Sequence, residues 1–150
     1  VVKTEKLSYK AWQKLYGKSV KVKAPGMFIE RLKRKAESAG GQLTELNTWS
    51  LKMSQYDHVS GECNRKLLSE RWHYLGGKSA GDAVIVQRDM YSAFLALCVI
   101  GNEHQSGQLR ERWPVVKQLL EQMGWCREMQ VAKGGAIVLP AVKPSERLVC

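Results

Sequence analysis

A proline at one end and a glycine pair at the other bracket residues 25–39, and this punctuation constrains the fold more than any other feature of the chain. Ala24-Pro25 puts a proline at a favoured first helical position, and Gly40-Gly41 supplies a C-terminal cap. Between them Phe28, Leu32, Ala36 and Ala39 recur at helical spacing, while Arg31, Arg34 and Lys35 share the opposite face and project outward. Ahead of this helix, Val1 to Thr4 reads as a short β-branched strand with Glu5 at its end, and Ser8 to Leu15 has helical composition stopped by Gly17. Behind it, Gln42 to Asn47 suits a second strand. The order of elements predicts an α/β fold.

Charge is concentrated over the same stretch. From Lys3 to Lys35 there are eleven basic residues against Glu5 and Glu30, which accounts for +9 of the net +10 and leaves the rest of the 150-residue chain near neutral. Tyr9, Trp12, Tyr16 and Phe28 are interleaved with these cations. Lysine and aromatic rings together serve phosphate contact and base stacking. A solvated basic face whose aromatics turn into the core has the same composition, and basic stripes also meet anionic membranes and acidic proteins.

A hydrophobic fraction of 44% and a charged fraction of 25% suit one globular domain with a real core, and exclude wholesale disorder or a fibrous chain. No apolar run approaches the roughly 18–20 residues that cross a bilayer, and no signal pattern opens the chain, so no membrane partner and a cytoplasmic location are expected. Cys63, Cys98, Cys126 and Cys150 are widely spaced and form no CxxC pair, which predicts reduced thiols.

Residues 53–82 form a polar, glycine-punctuated stretch with Gly61, Gly76-Gly77 and Gly81, holding His58, Cys63 and His73, and read as an insertion with a strand-like piece at Arg71 to Tyr74. Val84 to Gln87 then leads into Arg88-Asp89 and an apolar helix over 90–100. A loop from Gly101 to Gly107 precedes an amphipathic helix predicted from Pro114 to Met123, with Val115, Leu119 and Met123 on one side and Gly124 as cap. The region 125–150 reads as a tail or docking segment.

Glu5 and Asp89 stand where secondary structure changes, one closing a strand and one opening a helix. Sites that hold two hard cations need carboxylates converging from rigid elements distant in sequence. The plainer roles are an N-cap for Asp89 and a solvated or lysine-paired Glu5.

Several words of the sequence then appear in order. They are Thr4-Glu5-Lys6-Leu7-Ser8, Ala24-Pro25-Gly26-Met27-Phe28, Arg34-Lys35-Ala36 with Ala39-Gly40-Gly41, and Lys52 to His58 (KMSQYDH). Leu68 to His73 (LSERWH) and Val86 to Phe94 (VQRDMYSAF) follow. This order, covering Val1 to about Ile100, resembles the C-terminal half of TnpB/OrfB-type transposon nucleases, relatives of type V CRISPR effectors.

The resemblance implies an RNase H-like, RuvC-type nuclease core that cuts DNA under RNA guidance with magnesium, manganese being a substitute. It implies catalytic, metal-holding roles for Glu5, at the end of the fourth strand, and Asp89, opening the helix after the fifth. It divides the chain into the C-terminal half of that core (1–52 and 83–124), a degenerate zinc-ribbon-like insertion (53–82) and a tail (125–150). Lys10, Lys14, Lys18, Lys21, Lys23, Arg31, Arg34 and Lys35 would hold the backbones of DNA and guide RNA.

Two departures stand out. The family's first catalytic Asp lies on a strand upstream of Val1, so this chain alone is expected to bind magnesium poorly and to be inactive unless joined to it. Many relatives carry a four-cysteine ribbon where this chain offers Cys63 with His58 and His73; three candidates do not close a structural zinc site, so zinc is not expected and the histidines are assigned to hydrogen bonding or packing. Asp57 and Glu62 read as loop acids, and Trp72 as packing the insertion. The alternatives are a catalytically inactive, guide-dependent nucleic-acid binder and a basic protein-interaction module docking through the Pro114 to Met123 helix.

Overall fold

The computed structural model describes residues 1–67, 69–76, 84–128, 130–131 and 137–138, with the side chains of 20–22, 130–131 and 137–138 excepted. Leu68, Gly77, Gly81 and the tail from 139 to Cys150 lie outside the described residues, as does the side chain of Lys21. The chain divides into two compact units, Val1–Ser50 and Leu51–Cys150, so the stretch 53–82 shares a unit with the Asp89 helix. No described helix is long and apolar enough to cross a membrane.

In the first unit, β1 (Val2–Glu5) is followed by α1 (Tyr9–Tyr16), α2 (Lys18–Lys23), α3 (Pro25–Ser38) and β2 (Leu43–Leu46). The strands pair in parallel, with Val2 opposite Leu43 and Glu5 opposite Leu46. A parallel pair cannot be closed by a tight hairpin, so the intervening helices serve as the crossover. Ser8 caps α1 by accepting from the Ala11 amide, and Gly17, at φ 42°, ends it. Helix α3 begins with Pro25, as its sequence requires, but enters from Ala24 in the left-handed region at φ 40°. It ends at Gly40, whose φ of 71° suits a residue without Cβ. Helix α2, a β-branched and lysine-rich segment, is an element the sequence did not announce.

The short helix α4 (Thr48–Leu51) spans the boundary of the units. In the second unit, β3 (Trp72–Leu75), β4 (Val84–Gln87) and, later in the chain, Cys126–Glu128 form an antiparallel sheet with β4 at its centre. Helix α5 (Arg88–Leu97) leaves β4 directly. The hairpin of β5 (Val99–Ile100) and β6 (Glu103–His104) leads into α6 (Ser106–Gln122), after which β7 is the strand Cys126–Glu128 and β8 (Gln130–Val131) pairs with β9 (Ile137–Val138).

Side-chain alternation sorts the sheet's two faces. His73, Leu75 and Val86 are buried, in one core with Tyr91, Phe94 and Leu95 of α5, while Trp72 and Tyr74 pack on Ile85.

Two helix expectations are corrected. The last helix starts at Ser106 and takes Pro114 into its interior, and Val115, Leu119 and Met123 are more than half exposed. The stripe that sets it is instead Leu109, Trp113, Val116 and Leu120, at intervals of four, three and four, with Leu109 and Leu120 fully in the core. The apolar run at 90–100 is not one helix either: α5 ends at Leu97, and Val99–Ile100 turns into the hairpin. At the head of the 125–150 region, Cys126 sits opposite Val86 in sheet register, because a β4 carrying apolar residues on both faces takes a partner at each edge.

Candidate functional site

Glu5 closes β1 in the first unit, exposed, as its position predicts. Asp89 lies in the second unit, in the first turn of α5. It is not the N-cap. Gln87 fills that role, its side-chain oxygen accepting from the Met90 amide at 2.7 Å. Its amide nitrogen donates to Asp89 at 3.2 Å, and Arg88 donates from Nε at 3.3 Å. The Asp89 carboxylate is 61% exposed, whereas the Arg88 side chain is 11% exposed. Arg88 also donates to the Glu70 carbonyl at 2.9 Å, so its orientation is fixed from two sides. The result is an accessible acid at the positive end of a helix, with its own capping duty delegated. Among the described residues, no three His, Cys, Asp or Glu side chains gather as a metal-holding group.

The basic residues Lys10, Lys14, Lys18, Lys23, Arg31, Arg34 and Lys35 are all exposed. Arg34 pairs with Glu30 one turn earlier at 2.5 Å; among the described residues the others make no ion pair. The aromatics beside them do not retreat into the core. Tyr16 and Phe28 are more than 60% exposed and Trp12 is 39% exposed, with Trp12 and Tyr16 meeting edge to face at 6.2 Å. A groove of about 500 Å³ is lined by Trp12, Leu15, Tyr16, Ser19, Lys23 and Pro25. Seven of the ten net positive charges belong to Val1–Ser50.

Residues 53–76 hold what the sequence missed. Asp57, expected in a loop, is 1% exposed. Its two carboxylate oxygens accept from the Val59 and Gly76 amides, each at 2.8 Å, while its own amide donates to Glu62 and its carbonyl accepts from Gly61. One buried side chain thereby closes a turn and ties it to the end of β3. The neighbouring His58 donates its backbone N–H to the Tyr91 hydroxyl at 3.0 Å, and its Nδ1 lies 2.7 Å from the same oxygen. Burial lowers the His58 pKa, so the neutral ring accepts at Nδ1 from the Tyr91 O–H. The phenol's own ionisation is pushed up by the same burial. Phe94 and Trp113 pack against the His58 ring.

His73, on the core side of β3, meets the Nζ of Lys66 at its Nδ1. Burial, with the Lys66 charge second, depresses His73 to about 4; burial likewise brings Lys66 to about 8, with Asp57 and Glu70 opposing the shift and Arg88 adding to it. The pair borders a cleft of about 360 Å³ lined also by Glu62, Asn64, Arg65, Glu70, Trp72 and Tyr74. No spacing rule links Asp57 to Gly76 or Lys66 to His73, so only the histidines were legible as polar interior residues. Cys63 is exposed and Cys98 and Cys126 are buried, and none of the three is in a disulfide. No protein-family model, curated protein or solved structure matches the chain.

Proposed function

We propose that this chain is the C-terminal portion of a transposon-associated, RNA-guided DNA endonuclease of the RuvC type. The observation that carries this is the first unit's surface, where Lys10, Lys14, Lys18, Lys23, Arg31 and Lys35 are exposed and make no ion pair among the described residues, with exposed Trp12 and Tyr16 on α1 beside Lys10 and Lys14. Such a surface fits a phosphate backbone with unstacked bases and fits an acidic protein less well, since stacking rings add nothing to carboxylates. Glu5 at a strand end and the accessible Asp89 at a helix start are the two acids that the motif order assigns to magnesium. In this reading Gln87 and Arg88 hold the Asp89 carboxylate outward, and Glu5 and Asp89 would hold magnesium, which when bound would supply activation of water for attack on a phosphodiester. Base pairing with the guide, and not these side chains, chooses the sequence.

The test is cleavage and binding by the whole protein with Asp89→Ala. Loss of magnesium-dependent cutting with binding retained is expected, and persistent cutting overturns the assignment. The second reading, a guide-dependent binder without catalysis, draws on the same basic surface. Salt-sensitive binding with no cutting by the unaltered protein decides for it.

A further inference from the structure

Among the described lysines, Lys66 stands out in where its amine ends. It reaches from the segment before β3 into the cleft, where Nζ meets a neutral imidazole and no carboxylate within ion-pairing distance among the described residues. Trp72 and Tyr74, which alternate with His73 along β3, also line it, Arg65 adds a cation, and the volume of about 360 Å³ admits a small organic molecule. The charged groups that bear on the amine come from each surrounding element. They are Asp57 in the turn, Glu70 before β3, His73 on β3, Arg88 on α5, and Glu62 and Arg65 along the cleft. Glu62 and Glu70 supply hydrogen-bond acceptors at the rim without closing a salt bridge on Nζ.

We propose that Lys66 is an imine-forming amine and that the cleft takes a small aldehyde that bears an anionic group for Arg65. The ammonium first gives a proton to solvent. Its lone pair then forms a bond to the carbonyl carbon as the C=O π pair moves to oxygen; one N–H proton passes through solvent to that oxygen to give the carbinolamine, and as the second follows, the C–O bond breaks, water leaves and the nitrogen lone pair closes the C=N bond. Amine and aldehyde become imine and water, with no oxidant or reductant. With its pKa near 8, Lys66 holds about two orders of magnitude more free amine at neutral pH than an ordinary lysine. A free small molecule and the ring-opened sugar of an abasic nucleotide both present this aldehyde.

The experiment treats the protein with 4-carboxybenzaldehyde, or with an oligonucleotide containing one abasic site. Sodium cyanoborohydride reduces any imine, and the modified residue is located by peptide mass spectrometry between pH 6 and 11. The expected result is labelling of Lys66 at least tenfold above exposed Lys10 and Lys52 at pH 7, with its midpoint near pH 8, and loss of that adduct in Lys66→Arg. Trapping by the free aldehyde alone identifies a small-molecule cleft. Trapping by the oligonucleotide identifies the abasic sugar as a source the cleft accepts. Equal labelling of all exposed lysines, or a Lys66 midpoint near that of an ordinary lysine, overturns the proposal. If Lys66→Arg does not fold, the site-resolved profile of the unaltered protein decides alone. Because no arm measures cleavage or guided binding, failure here is distinct from failure of the nuclease reading.

Discussion

Two main-chain amides, those of Val59 and Gly76, end on the buried carboxylate of Asp57. Asparagine offers one oxygen and opposes the other amide with its own N–H. Asp57→Asn is therefore expected to cost about 1–3 kcal/mol in chemical denaturation, and to shift Lys66 labelling to lower pH by removing a charge that favours the ammonium. His73 sets an acid limit. Its folded pKa of about 4 lies below the unfolded value near 6.5, so its neutral form stabilises the fold fully above pH 6.5 and progressively less as pH falls toward 4. The loss is about 3 kcal/mol at that one imidazole, and His58 shifts with the same sign. Denaturation midpoints measured from pH 7 to 4 should fall steeply and flatten in a His73→Gln variant that folds. Ala24 holds a left-handed conformation immediately before a proline, so Ala24→Gly should gain up to about 1 kcal/mol of thermal stability.

At the scale of elements, the sequence was most legible where punctuation and periodicity agreed. Pro25 and Gly40 mark the ends of α3, and β1 and β2 flank it as expected. The last helix shows the opposite case. Pro114 looks like a helix start because its missing N–H is harmless there, yet the stripe from Leu109 to Leu120 buries enough apolar surface to carry the helix through it. The Arg110 carbonyl loses its helical donor as a result. Pro114→Ala is expected to raise stability by on the order of 1–3 kcal/mol in thermal melts, since the packed residues are untouched. Buried polar residues of the segment before β3 were illegible for another reason: their partners lie 19 and 33 residues away, and a glycine-rich polar stretch carries no periodicity to announce a core.

Across the whole molecule, charge is segregated between the units, with eleven basic and four acidic residues in Val1–Ser50. Nucleic-acid affinity should then fall steeply with salt, and charge-removing variants Lys10→Gln and Lys14→Gln should each weaken binding across sequences and reduce the salt slope by about one. The same substitutions should leave Lys66 trapping by the small aldehyde unchanged, because neither residue lines its cleft.

Cys63 pairs across a bridge with Tyr56 and is the chain neighbour of Glu62 and Asn64, both of which line the cleft. With Cys98 and Cys126 buried and Cys150 changed to serine, it becomes a single addressable handle. A small fluorophore attached there would sit beside the cleft mouth, and its emission would register a molecule entering without any chemistry having to occur.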